Sequence, residues 1–487
     1  MKRFLNPKRN VTALLAIAML ASASLASCGG SAPADDTTAA DASAETTTAA
    51  PETAYIDTLE KRDMGGREFV FYGQHYSGRQ NFYMEEKDGE VCNDAMHERD
   101  AAVEERLNVK LVFIGEQDRA KVKATAQASI LAGDEEYNVI LAPLSDGVNT
   151  LTSAGVLYNL REIPHLTLDS IYWNKSMYDH MEIGGAQFFT TGGISYSFFQ
   201  TPIVMRANMR LIDEYKLENP YELVLSGKWT ADKLAEMSKD KYQDLNGNST
   251  PDTGDFFGLI MDGTFGNALY TGAGFDTVSR EGGKCTLTLD SQQSIDLIEK
   301  YASLFGDRKQ YMNDLAGSES WNKDIFMAGD CIFQPMTILG TLSLREMKDD
   351  FAILPIPKYT EEQKEYYTAC NTWLPSGIAV PVNCSDPDNT GLMLETMAYY
   401  SNLYVRPAMY ETTLQGKVAR DDNAVSMLDL IYNGAAFDFA TAFNFANVGN
   451  LLREMVTGDQ ENFVSSYASI KDAAHAALDD IVKAAEE

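Results

Sequence analysis

Short apolar runs that alternate with segments of helical period constrain this chain more than any other feature. Glu68-Phe69-Val70-Phe71-Tyr72-Gly73 reads as a buried strand that stops at a glycine. Asp94 to Leu107 reads as a helix with Met96, Val103 and Leu107 on one face. Val109 to Ile114 is a second strand, Val122 to Leu131 a second helix closed by Gly133, and Tyr137 to Ala142 a third strand. The loop Pro143–Gly147 follows it. This order predicts an α/β layer around a mainly parallel sheet, because parallel neighbours need a crossover long enough to hold a helix. Ligands in such sheets sit beyond the carboxyl ends of the strands, so the loops after Tyr72 and Ala142 are the first places to look.

The pattern stays mixed to the end of the chain. Gln187–Phe199 is rich in Gly, Ser, Phe and Tyr and reads as a crossing segment. Thr230 is placed to cap a helix that opens after Trp229. Asp290-x-x-Gln293 looks like a capping-box start for a helix carrying Ile295, Ile298, Ala302 and Phe305. Cys331 to Gln334 reads as a strand running into Pro335, and Phe351–Pro357 as a strand closed by prolines. Ile470, Ala474, Leu478 and Ile481 mark a C-terminal amphipathic helix. A length of 487 residues makes two or more domains the expectation, and 45% hydrophobic content is enough for a sizeable core.

Charge and cysteine usage exclude some classes. The 71 acidic residues outnumber the 40 basic ones, for a formal charge of −31, which repels phosphate backbones and argues against nucleic acid as a partner. Cys92, Cys285, Cys331, Cys370 and Cys384 are scattered without a C-x-x-C pair, so a zinc or thioredoxin-like site is not supported. They read as buried free thiols, with a Cys370–Cys384 bridge as the alternative. No H-E-x-x-H, G-x-S-x-G or phosphate-loop motif occurs.

The start of the chain has its own logic. Lys2, Arg3, Lys8 and Arg9 precede an apolar run from about Val11 to Ala26, which reads as a secretory signal over residues 1–27. Leu25-Ala26-Ser27-Cys28 resembles the lipobox of bacterial lipoproteins, whose cysteine is acylated; the other reading is an ordinary cysteine beside a signal-cleavage site. Residues 28–54 are Ala-, Thr- and Asp-rich with almost no large apolar side chain, the composition of a disordered tether. The expected location is the outer face of the cell membrane, anchored through Cys28.

Further motifs, in their order, resemble bacterial extracellular solute-binding protein family 1, the carbohydrate-type substrate-binding lipoproteins of ABC importers. They are Leu131-Ala132-Gly133-Asp134-Glu135-Glu136-Tyr137-Asn138, Gly155-Val156-Leu157-Tyr158-Asn159-Leu160, Gly227-Lys228-Trp229-Thr230, Phe326-Met327-Ala328-Gly329-Asp330 and Ile353-Leu354-Pro355-Ile356-Pro357-Lys358. Val405-Arg406-Pro407 through Ile431 looks like a clostridial branch, and Asn138 stands where the family often has Asp. The resemblance implies a two-lobed α/β fold of the periplasmic-binding-protein type, with hinge crossings and a ligand cleft between the lobes. It places crossings near Gly192–Pro202, Phe351 and Glu411–Gly416, with one lobe at 55–195 plus 352–412 and the other at 196–351 plus 413–487. It also implies a monomer that captures an oligosaccharide, closes on it and delivers it to a membrane permease, with no covalent chemistry.

Candidate ligand contacts are loop residues at strand ends and crossings, because sugars need aromatic faces and a few polar side chains. They are Gln74, Tyr76, Asp146, Tyr196, Asp262, Phe265, Gln334, Trp373 and Phe443, whereas Trp229 and Trp321 read as packing residues. Asp244, Asn246, Asn248, Thr250, Asp252 and Asp255 have the alternate-position oxygens of a calcium loop, although Ser249 stands where a glycine is usual. Some alginate-type oligosaccharide-binding proteins hold calcium in a similar loop, which implies a structural Ca2+ ion; a polar Asn-Gly turn is the other reading. A surface-tethered carbohydrate-active enzyme and a glycan-binding adhesion lipoprotein are the alternative functions, since plentiful carboxylates allow a glycosidase pair.

Overall fold

Two mixed sheets carry the chain. The computed structural model describes residues 53–75, 82–307, 311–314, 325–414, 422–454 and 463–486. The signal segment, Cys28, the tether to Glu52, Tyr76, Gly416 and Trp321 lie outside the described residues. Tyr55 is fixed at once: its hydroxyl donates to Glu395 Oε1 at 2.5 Å, and Glu395 also accepts from Trp173 Nε1 at 2.7 Å.

The first sheet joins β1 (Arg67–Gln74), β2 (Val109–Glu116) and β3 (Val139–Pro143). β1 pairs in parallel with both others, Arg67 opposite Val109 and Phe71 opposite Val139. Between β1 and β2 runs α1 (Val91–Leu107), capped by the Glu90 side chain, and between β2 and β3 runs α2 (Arg119–Ala132). Gly133 ends α2 at φ 79°, the left-handed conformation in which glycine carries no Cβ penalty. The βαβ order read from the sequence is thus realised, with Met96, Val103 and Leu107 all fully buried.

The second sheet contains β4 (Ile203–Asn208), β5 (Phe257–Asp262), β6 (Met312–Asp314), β7 (Cys331–Thr337) and β8 (Phe351–Leu354), in the spatial order β8-β4-β7-β5-β6. Before β5 comes α3 (Ala231–Ser238), and Thr230 caps it by accepting from Lys233 N at 3.2 Å. Trp229 is fully buried and donates to Pro355 O at 2.9 Å, a packing role. β7 continues through Pro335, which lies opposite Met205 of β4. Its pairing with β5 reaches only Phe333, so the missing N–H interrupts no ladder bond on that side. The helix after Thr288 is capped by Ser291, not Asp290, because the serine hydroxyl reaches Ser294 N at 3.2 Å.

The chain leaves the first sheet through Tyr196–Gln200 and enters β4. It does not return at Phe351: Phe351–Leu354 is an outer strand of the second sheet, paired with β4. The return runs through β9 (Thr368–Ala369) to β10 (Ser376–Ala379), which adds antiparallel to β3 with Ser376 opposite Pro143. A third segment, β11 (Ala435–Ala436), pairs with β9, while Pro202 bridges Cys370. Residues 201–203, 368–371 and 435–436 therefore lie side by side. Asn371 N donates to Thr201 O at 3.0 Å and Cys370 N to Ala436 O at 2.9 Å. Among the described residues no helix is long and apolar enough to cross a membrane.

Candidate functional site

A cavity of about 580 Å³ opens beside these connecting segments. Its volume falls in the range of small-molecule sites, roughly 300–1,000 Å³. Five stretches build it: the carboxyl end of β5 with α4 (Phe265–Gly272), the connection Ala369–Trp373, the β11 end at Ala436, α5 (Phe439–Phe443) with Asp438 before it, and the turn from Asn444 into α6 (Val448–Glu454). The position beyond a strand's carboxyl end follows the rule for open α/β sheets.

Polar side chains dominate the lining. Asn267, Asn371, Asn444, Asn447 and Asn450 are joined by Thr264, Thr271, Thr372 and Thr441. Asp262 and Asp438 are its carboxylates and Arg453 its guanidinium. Trp373 is the one aromatic residue of the lining and is 47% exposed, unlike most large rings of the molecule. Asn267 Oδ1 is buried without a hydrogen-bond partner.

Local chemistry holds these groups in place. Asp262 accepts from Thr264 N at 2.8 Å and from Thr264 Oγ1 at 2.5 Å. Gly263 has no Cβ where one would meet the Arg453 guanidinium at 2.5 Å, so the cation lies close over the backbone. Asp438 caps α5 through Thr441 N at 2.9 Å and accepts from Thr277 N and Oγ1 at 2.9 and 2.5 Å. Burial, with Asp276 nearby, pushes its carboxyl up to about 6 against those hydrogen bonds. Burial likewise pushes the Cys370 thiol up to about 12, so it is no nucleophile in the cavity wall. Asn444, Ala446 and Asn447 have φ of 50°, 48° and 62°, a left-handed run uncommon outside glycine. It turns the chain so that Asn444, Asn447 and Asn450 all line the cavity, with Asn450 Nδ2 donating to Asn447 Oδ1 at 2.5 Å.

Of the residues expected from sequence, the cavity brings together Asp262 and Trp373. Phe265 is fully buried, its ring 5.7 Å from Phe305, and Phe443 stacks on Phe439 at 4.4 Å, so both serve packing. Tyr196 is buried beside Cys92, and desolvation raises its hydroxyl pKa. Gln334 points into the second sheet and accepts from Arg206. Gln74 is buried at the end of β1 and Asp146 pairs with Lys123, both away from the cavity lining. The residues not anticipated are chiefly the asparagines. Their trace in the sequence is the three-residue spacing Asn444-x-x-Asn447-x-x-Asn450 and the adjacency of Asn371 and Thr372 to Trp373.

The loop 244–255 is closed by its own donors. Asp244 accepts from Gly247 N at 2.6 Å and Ser249 N at 2.8 Å, and Asp252 accepts from the side-chain amides of Asn246 and Asn248 at 2.8 and 2.5 Å. Asp255 accepts from Leu245 N at 3.0 Å, and Thr250 N donates to Asn248 Oδ1 at 2.7 Å. The carboxylates of Asp244, Asp252 and Asp255 thus already accept N–H groups, and a calcium ion in this loop would share those oxygens with the donors or turn them. Among the described residues no three His, Cys, Asp or Glu side chains gather as a metal site. All five cysteines of the body are free thiols.

No protein-family model matches the chain, and no curated protein matches it. Solved structures do. A cyclo/maltodextrin-binding protein complexed with maltotetraose aligns over 88% of this chain and 98% of its own, at 11% identity and a TM-score of 0.53. The galacto-N-biose-/lacto-N-biose I-binding protein of a Bifidobacterium longum ABC transporter aligns over 87% and 98%, at 11% identity and 0.51. UgpB of Mycobacterium tuberculosis, in complex with glycerophosphocholine, aligns over 85% and 98%, at 13% identity and 0.50. The fold is that of the two-lobed periplasmic binding proteins. The cavity lies beside the connecting segments 201–203, 368–371 and 435–436.

Proposed function

We propose that this chain is the substrate-binding subunit of an ABC importer and captures a neutral oligosaccharide. The observation that carries this reading is the lining of the 580 Å³ cavity: one exposed indole amid asparagines, threonines and two carboxylates. An indole face suits the C–H patch of a sugar ring, and amides and carboxylates suit its hydroxyls. Proteins of this fold hold maltotetraose, lacto-N-biose and glycerophosphocholine. Two carboxylates against one guanidinium disfavour a phosphate-bearing ligand and favour a neutral one. In this reading the protein is a monomer anchored through Cys28 on the outer membrane face. Its lobes close on the glycan, and the closed form is what the permease subunits recognise.

Asp262 and Asp438 line one cavity, and that favours a second reading, a surface-tethered glycosidase. Against it, both oxygens of Asp438 already accept from Thr277 and Thr441. One experiment separates the two. The full chain is screened by thermal shift against neutral oligosaccharides, phosphodiesters and peptides, and the ligand is then recovered and analysed. A rise in Tm with one neutral glycan series, the glycan recovered intact and the rise lost in Trp373→Ala, is the expected result. Cleaved glycan establishes the enzyme instead, and a response to peptides or phosphodiesters alone removes the sugar assignment.

A further inference from the structure

We propose that Arg119 is a positioning residue for ligand binding, holding the Trp373 indole at the cavity wall by stacking on it. This rests on the sugar-binding reading of the cavity. Trp373 sits on a loop and is 47% exposed, so burial does little to fix its ring. Asn371 Oδ1 accepts from Trp373 N at 2.8 Å, which orders the backbone but leaves the ring free to turn. The Arg119 guanidinium carbon lies 4.8 Å from the ring centroid, within cation–π range. Arg119 does not line the cavity and Trp373 does, so the guanidinium acts on the ring and not on the ligand.

The cation is itself held by the loop that holds the tryptophan's neighbour. Arg119 donates to Ser145 O. Ser145 Oγ donates to Thr441 O at 3.0 Å and lies in hydrogen-bond contact with Thr372 Oγ1 at 2.9 Å, and Ser145 N donates to Thr372 O at 3.2 Å. One residue thus ties α2, the connection that carries Trp373 and the start of α5 together. Helix stability does not explain an arginine here. Arg119 is the first residue of α2, after the Asp118 cap, where the macrodipole is positive and a cation is unfavourable. Burial lowers its pKa while Asp146 opposes the fall, and arginine is the side chain that keeps its charge in such a place. The flat guanidinium stacks as well as charges, which the point charge of lysine does not reproduce.

The test uses the full chain and two readouts. The first needs no ligand: acrylamide quenching of the Trp373 emission, taken as the difference between each protein and its Trp373→Phe partner. Arg119→Ala is expected to raise that quenching about twofold, with Arg119→Lys in between. The second is affinity for a panel of neutral oligosaccharides that includes maltotetraose and lacto-N-biose. Arg119→Ala is expected to weaken binding about 2- to 30-fold, the span of a cation–π contact from exposed to desolvated. Arg119→Lys, which keeps chain length and charge, guards against a folding defect and is expected to restore part of the affinity. Unchanged quenching overturns the proposal, as does altered quenching with unchanged affinity. A wild-type chain that binds no glycan removes the sugar assignment instead, and the quenching difference still decides whether Arg119 holds the ring.

Discussion

Asp438 shows how much one carboxylate's surroundings decide. Burial and Asp276 outweigh three donors and push its carboxyl up to about 6, above the ordinary aspartate value of 3.8. A raised carboxyl contributes stability below the unfolded pKa and loses it as pH rises through the folded one. A carboxyl raised that far corresponds to roughly 3 kcal/mol. In denaturant titrations between pH 4 and 7, Asp438→Asn should therefore gain on the wild type as pH rises, by up to that amount. Parallel pH curves would place the perturbation elsewhere. The loop 244–255 leads to a second expectation. Asp244 and Asp252 already accept N–H donors, so equal Tm in calcium and in chelator would remove the calcium reading of the loop. A rise of several degrees with calcium would show that the carboxylates reorient around the ion.

At the scale of elements, close approach matters more than propensity. Gly258 lies in β5 where an added Cβ would stand 1.9 Å from Ser238 O, the last residue of α3. That contact is to backbone and cannot relax by a rotamer change. Gly258→Ala should cost several kcal/mol, on the order of 4 or more, read by chemical unfolding. A cost under about 1 kcal/mol would mean that α3 can shift on the sheet. Nothing in the run Phe257-Gly258-Leu259-Ile260-Met261 announces this helix contact, although the run itself reads plainly as a strand. The helix caps show the reverse. Thr230 and Gly133 are legible because a cap bonds within three or four residues of itself, inside the reach of the sequence. Asp290 was displaced by Ser291 because two neighbouring oxygens can compete for the same N–H groups.

Across the whole molecule, the proposed importer role makes closure about the connecting segments the expected response to ligand. Small-angle scattering should show a smaller radius of gyration when a bound glycan saturates the chain, and the same curve for Trp373→Ala with and without it. A fixed radius with proven binding would mean capture without lobe movement, at odds with the importer reading.

The resemblance of its motifs implied the two-lobed α/β class, and among the nine candidate contacts Asp262 and Trp373 line the cavity; the sequence alone determined the βαβ half of the first sheet and the capped helices. Those features arise from periodicity, local hydrogen bonds and short-range turns, whose partners are near in the chain. Only the tertiary structure decided that β10 joins β3 from more than two hundred residues away, that Phe351–Leu354 stays in the second sheet, and that Asn267, Asn371 and the 444–450 turn share one wall. It also sent Phe265, Phe443 and Gln334 inward, because an aromatic or amide at a strand end serves core or cleft according to which neighbours the fold brings over it.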